Sequence, residues 1–193
     1  MVGFVLAYLA FENIGSRQPQ RRLPPQTGAV QNAPPGNAGS APEANPGNSG
    51  GGPNFTREQV QQLSAYVEQH PDDPDAVIQL ANMNFDIRNW QRAAELYEHH
   101  LELQPEDPDV LSDLGICYRE MGEPQRALKE FDRAQEIAPQ HWESRFNEVV
   151  VLGLDLGNFE AAEKVLDELR AIRPGDQNVE RLAAEVERRR NAA

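Results

Sequence analysis

"LGICYREMGEPQRALKEFDRAQEIAP", residues 114–139, holds two helix-like stretches broken at Gly122. Each carries a small residue, Gly115 or Ala127, where a helix facing a core usually presents a larger side chain. Small residues at such places let the backbone of a neighbouring helix come close. The stretch therefore reads as a helical hairpin whose two arms touch at Gly115 and Ala127.

The hairpin is not alone. Pro71, Pro105 and Pro139 are each 34 residues apart, and Pro174 follows 35 later. Beyond the first two lie "DDPDAV" (72–77) and "EDPDVL" (106–111). Each puts an Asp before a Pro at a helix start. Asp73 and Asp107 can accept from the free amides of the first turn, and Pro74 and Pro108 suit the first helical position. A period of this length means stacked helical hairpins.

Counted from Pro108, Leu114 and Gly115 occupy repeat positions 7 and 8. Tyr118 falls at 11, Ala127 at 20, Phe131 at 24, Ala134 at 27 and Pro139 at 32. This spacing resembles the tetratricopeptide repeat. The resemblance implies an all-α solenoid of three helical hairpins with flanking helices at each end. It covers residues 72–174 strongly and 56–190 loosely. The repeat from Pro74 keeps Leu80, Ala81, Ala93, Tyr97 and Pro105, but has Asn84 at position 11 and His100 at position 27. Packing there should be less regular. The third repeat carries one extra residue in its first half. It keeps Phe146, Val149 and Val150 as its apolar face, with Ala162 and Pro174 in its second half. "TREQVQQLSAYVEQHP" (56–71) reads as a lone amphipathic helix, and "QNVERLAAEVERRRNAA" (177–193) as a polar closing helix.

The chain thus divides into an apolar segment (1–15), a linker (16–53) and the repeat domain (54–193). The repeats run over about 74–107, 108–141 and 142–175, with the closing helix at 177–190. "MVGFVLAYLAF" (1–11) is uncharged and about half the length a membrane span needs. It lacks the basic start and small-residue cleavage site of a signal peptide. It reads as the second half of a single-pass transmembrane helix that begins upstream of Met1. The alternatives are an interfacial or vestigial tail, a signal remnant, or a soluble chain. Residues 16–53 are crowded with Pro, Gly, Asn and Ser, and lack aromatics. They read as a disordered tether. Arg17, Arg21 and Arg22 after the apolar run lean toward a cytoplasmic tether, by the positive-inside tendency.

The whole chain carries a net charge of −13. Residues 1–53 hold three Arg against two Glu, so residues 54–193 carry −14. So acidic a domain is a poor match for nucleic acid, which needs cations opposite its phosphates. It favours basic or apolar partners. The one cysteine, Cys117, allows neither an internal disulfide nor a multi-cysteine zinc site, and reads as a half-buried structural thiol. Glu95 and His99 share a helical face beside His100, yet no third ligand is spaced to join them. His70 and His141 read as turn residues beside repeat prolines. "SGGGP" (49–53) lacks the Lys and preceding strand of a phosphate loop. "RRR" (188–190) complements the negative end of its helix. No catalytic residue, metal or cofactor is expected.

The family resemblance also implies a groove, lined by the first helix of each hairpin, that receives a peptide or partner helix. The usual groove positions fall on Ile78, Asn82, Phe85 and Asp86 in the first repeat. In the second they fall on Asp109, Ser112, Asp113, Ile116, Arg119 and Glu120, and in the third on Asn147, Val151, Leu154 and Asp155. One subclass grips the carboxylate ends of heat-shock chaperones with Lys, Arg and Asn. Asn82 matches that set, but Ile78 and Asp113 stand where Lys and Asn are needed. The expected partner is instead a basic or amphipathic peptide or helix of another protein. The chain resembles bacterial membrane-tethered tetratricopeptide proteins, among them cytochrome c biogenesis accessory factors. The alternative is a self-associating scaffold of an envelope complex with no peptide client.

Overall fold

A computed structural model describes residues 55–193. Among them are eight helices and no strand. Helix α1 spans Arg57–Gln69 and precedes three hairpins. The first is α2 (Pro74–Asp86) with α3 (Trp90–Leu103), and the second is α4 (Pro108–Glu120) with α5 (Pro124–Ile137). The third is α6 (Trp142–Val149), continued by a π-helical segment Val150–Asp155, with α7 (Phe159–Ile172). Helix α8 (Gln177–Arg190) follows. The apolar segment and linker expected at residues 1–53 lie outside the described residues. Among the described residues no helix is long and apolar enough to cross a membrane.

Local chemistry sets the helix starts. Oδ1 of Asp73 accepts from the amides of Asp75 and Ala76, both at 3.1 Å. Oδ1 of Asp107 does the same for Asp109 and Val110, at 3.1 and 3.2 Å. Pro74 and Pro108 follow as the first helical residues, where no amide is missed. Thr56 and Gln59 cap α1 reciprocally, and Asp176 caps α8.

Each hairpin turns through one residue in the left-handed region: Arg88 (φ 61°), Gly122 (φ 80°) and Gly157 (φ 66°). Glycine adopts this conformation at no steric cost, whereas Arg88 does not. One backbone hydrogen bond then closes each turn. It runs from Asn89 to Asn84 and from Glu123 to Tyr118, both at 2.8 Å and five residues apart. In the third hairpin it runs from Asn158 to Leu152, also 2.8 Å but six residues apart. The extra residue seen in the sequence falls within this longer closing bond, where the first helix widens into the π-helical segment.

The small residues sit where helices cross. Ala81, Ala93, Ala127, Ala134 and Ala162 are all fully buried. Tyr97 and Phe131 fill the space between the arms of their hairpins, with no exposed surface. The first hairpin departs from the pattern with order rather than looseness. Buried Asn84 donates to the Leu80 carbonyl (2.8 Å) and accepts from Asn89 (2.9 Å). The aromatic contacts shift to Phe85, whose ring meets Trp90 at 5.1 Å and Tyr97 at 6.2 Å, both edge-on. His100 is buried, with Nδ1 at 3.1 Å from the Pro74 carbonyl. Its Nε2 has no hydrogen-bond partner and lies 3.8 Å from Asp107. Cys117 is fully buried rather than half-buried, because position 10 of this repeat faces into the stack.

Candidate functional site

The first helices α2, α4 and α6, with the π-helical segment that continues α6, carry the fourteen positions expected to line a groove. On α2, Ile78, Asn82 and Phe85 are half-buried and Asp86 is exposed. On α4, Asp109 and Glu120 are exposed, Asp113 and Arg119 are half-buried, and Ser112 and Ile116 are buried. In the third repeat Asn147 and Val151 are buried, Leu154 is half-buried and Asp155 is exposed.

Side chains tie these helices together. Nδ2 of Asn147 donates to the hydroxyl of Ser112 at 3.4 Å, joining α6 to α4. Arg119 grips both carboxylate oxygens of Asp155, at 2.5 and 3.1 Å, and also reaches Glu120 at 3.0 Å. The hydroxyl of Tyr97, from α3, donates to Oδ1 of Asn82 on α2 at 2.8 Å. Tyr97 thus joins the two arms of its hairpin.

Charge in this region is one-sided. Of Asp86, Asp109, Asp113, Glu120 and Asp155, two pair with Arg119 (Glu120 and Asp155) and one, Asp109, bonds to His141. Burial, and then the neighbouring Asp109 and Asp107, push the Asp113 carboxyl up to about 7; His141 opposes this and Asp86 adds to it. Burial also raises Asp86. Asp109 moves the other way, because the His141 ring bonds to it. Nδ1 of His141 accepts from the Ser144 amide at 3.3 Å and caps α6. Nε2 therefore carries the proton donated to Asp109, 2.9 Å away. Among the described residues no Lys or Arg forms an ion pair with Asp113.

The other singled-out groups are engaged elsewhere. Glu95 bonds to Arg92 and Gln91, while His99 sits between the Pro71 carbonyl and Glu102. The ring of His70 lies 4.4 Å from that of Tyr66. Arg188 and Arg189 pair with Glu185, and Arg190 with Glu163. Among the described residues no three His, Cys, Asp or Glu side chains are grouped to hold a metal.

Tyr97 and His141 are not among the groove positions that the sequence indicates. Tyr97 belongs to a second helix and His141 to an inter-repeat turn, so neither follows from first-helix spacing. The acidic runs are visible in the sequence, but which acids meet is not.

Two family models, both described as tetratricopeptide repeat, match residues 60–108 and 85–147. No curated protein sequence matches the chain. Solved structures with the same fold include MamA, at 18% identity and a TM-score of 0.60. That likeness covers 68% of this chain and 78% of MamA. The first tetratricopeptide domain of Spaghetti (RPAP3), bound to the HSP90 peptide SRMEEVD, aligns at 12% identity and a TM-score of 0.56. It covers 60% of this chain and 90% of that one. The Sgt2 tetratricopeptide domain from Aspergillus fumigatus aligns at 16% identity and 0.56, covering 61% and 78%. Repeat spacing, crossing residues and fold agree, and residues 60–147 match the tetratricopeptide repeat.

Proposed function

We propose that the chain is a protein-interaction module, not an enzyme, and that its first helices receive a basic or amphipathic segment of a partner protein. The charge of the groove carries this reading. Of the five carboxylates on α2, α4 and the π segment, Glu120 and Asp155 share Arg119 and Asp109 bonds to His141. Three of them, Asp86, Glu120 and Asp155, stand at the C-terminal ends of their helical segments. The helix dipole disfavours negative charge there, so a cationic side chain would relieve a standing repulsion. Half-buried Ile78, Phe85 and Leu154 supply apolar contacts between the charges.

The peptide held by Spaghetti, SRMEEVD, is acidic. An acidic ligand would be repelled here, so the same fold would serve a partner of opposite charge. The apolar segment at residues 1–15 and the tether behind it support a further reading: the module is held at a bacterial membrane, as an assembly factor. Flotation of the full chain with liposomes tests that part separately.

For the groove, the test is anisotropy of a labelled amphipathic Lys/Leu peptide against the full chain. An acidic Glu/Leu peptide is the control. Binding of the first alone, lost on combining Asp86→Asn, Glu120→Gln and Asp155→Asn, supports the reading. Equal binding of both peptides sinks it. If neither binds and the chain sediments as a defined oligomer, the scaffold alternative replaces it.

A further inference from the structure

Ile87, Met121 and Leu156 cap the C-terminal ends of α2, α4 and the π segment. They are 34 and 35 residues apart, which is the repeat spacing with its one insertion. Stacking explains apolar residues that recur at a buried repeat position, but this row faces solvent. Ile87 is 45% exposed and Leu156 39%, while Met121 is half-buried. The other large apolar side chains so exposed among the described residues, Tyr66 and Ile137, lie on α1 and α5 and share no repeat position. An acid precedes each member of the row: Asp86, Glu120 and Asp155. Three successive hairpins thus repeat one acid–apolar pair at the end of the first helix. Side-chain bonds hold two of these ends together, from Asn147 to Ser112 and from Arg119 to Asp155. Helices α2, α4 and α6 with the π segment carry eight carboxylates against Arg119 and Arg145. Both arginines are paired, one with Glu120 and Asp155 and the other with Glu168. Arg88, just past Ile87, adds a cation at the edge of the row.

We propose that this row is a docking ladder for one amphipathic basic helix of a partner protein, laid across the three helix ends with a cation and an apolar side chain at each rung. The inference rests on the groove reading above and adds a position and a register to it. Exposed apolar side chains in a recurring row mark an interaction surface, and the carboxylate beside each one selects the charge of the ligand. The spacing selects its sequence pattern. Packed helices lie about 8–10 Å apart. A partner helix rises about 10 Å in seven residues and returns close to the same face. Its cations should therefore recur every seven residues, each beside an apolar residue.

The test is anisotropy of two labelled helical peptides of identical composition against the full chain. One carries Lys–Leu pairs seven residues apart. Its isomer carries them five apart, which scatters them around the helix. The first should bind about tenfold more tightly. Ile87→Ser and Leu156→Ser act at the solvent edge, and circular dichroism checks that each variant keeps its fold. Each should weaken the first peptide about fivefold. Together they should erase the preference between the isomers. Ile137→Ser, likewise exposed but on α5, should change nothing. That pattern supports the ladder. Equal binding of the two isomers, or serine variants that bind like the wild type, overturns it and leaves the groove reading intact. Failure of both peptides to bind at low salt defeats the groove reading as well. Self-association that Ile87→Ser abolishes would put a second copy on the ladder and overturn the assignment to a partner protein.

Discussion

Gly115 and Phe131 are in direct contact across the second hairpin: a Cβ on Gly115 would lie 2.8 and 2.9 Å from Cδ1 and Cζ of the ring. Phe131 is fully buried and has no free direction in which to move. The size of residue 115 therefore sets how closely α4 and α5 approach. Gly115→Ala gains helix propensity but overpacks the crossing. We expect a net loss of about 1 kcal/mol, read from urea unfolding, and failure of cooperative folding for Gly115→Leu.

The turn residues give a prediction of opposite sign. Arg88 holds a left-handed conformation that its counterparts Gly122 and Gly157 adopt freely. Arg88→Gly should stabilise the domain by about 1 kcal/mol, and Gly122→Ala should cost about the same. Nothing lies within 4 Å of the Cβ that Gly122→Ala adds, so its cost comes from the backbone alone. Thermal midpoints of the two variants should move in opposite directions.

Helix α8 packs over the π segment through another glycine. A Cβ on Gly153 would meet Cγ2 of Val186 at 2.8 Å and Cβ of Ala162 at 3.3 Å. Arg189 also donates to the Leu154 carbonyl, at 2.6 Å, so the widened helical turn is tied to α8. Gly153→Ala should loosen α8 by roughly 1–2 kcal/mol. Faster amide exchange confined to residues 177–190 and the π segment would show it. Uniformly faster exchange would argue against a local role.

Much of this architecture is legible in the sequence because repeat geometry restricts residue size at a few fixed positions. The sizes and spacing of Gly115, Ala127 and Phe131 are enough to indicate a helix crossing, and Asp73–Pro74 and Asp107–Pro108 indicate helix starts. The extra residue of the third repeat can be counted in the sequence but not placed. A longer turn and a π-helical turn satisfy the same count, and the five-residue bond from Leu156 to Val151 that ends the π segment distinguishes them. Asn84 looks like a defect in the sequence, since its partner Asn89 lies beyond the helix end. The pairing of Arg119 with Asp155 is hidden for a related reason. The two residues are 36 apart, off the 34-residue period, and meet across separate repeats.

Asp113 predicts an unusual dependence of stability on pH. Its carboxyl titrates near 7 in the folded chain and near the ordinary carboxylate value, about 4, when unfolded. Between these values the folded state binds more protons, so this group's stabilisation is complete below about pH 4 and is lost as pH rises to about 7. Asp113→Asn should raise stability by up to about 4 kcal/mol at pH 8 and change little at pH 4. Chemical denaturation of both proteins at the two pH values checks it.

The central claim is that a basic segment binds along the first helices, and isoleucine methyl spectra test it most directly. Ile78 and Ile116 lie on α2 and α4, whereas Ile137 and Ile172 end α5 and α7. With the full chain labelled at isoleucine methyls and titrated with the Lys/Leu peptide, the Ile78 and Ile116 signals should shift together. Those of Ile137 and Ile172 should stay in place, and added salt should reverse the change. Shifts confined to Ile137 and Ile172, or none despite measured binding, would put the partner on another face and contradict the account.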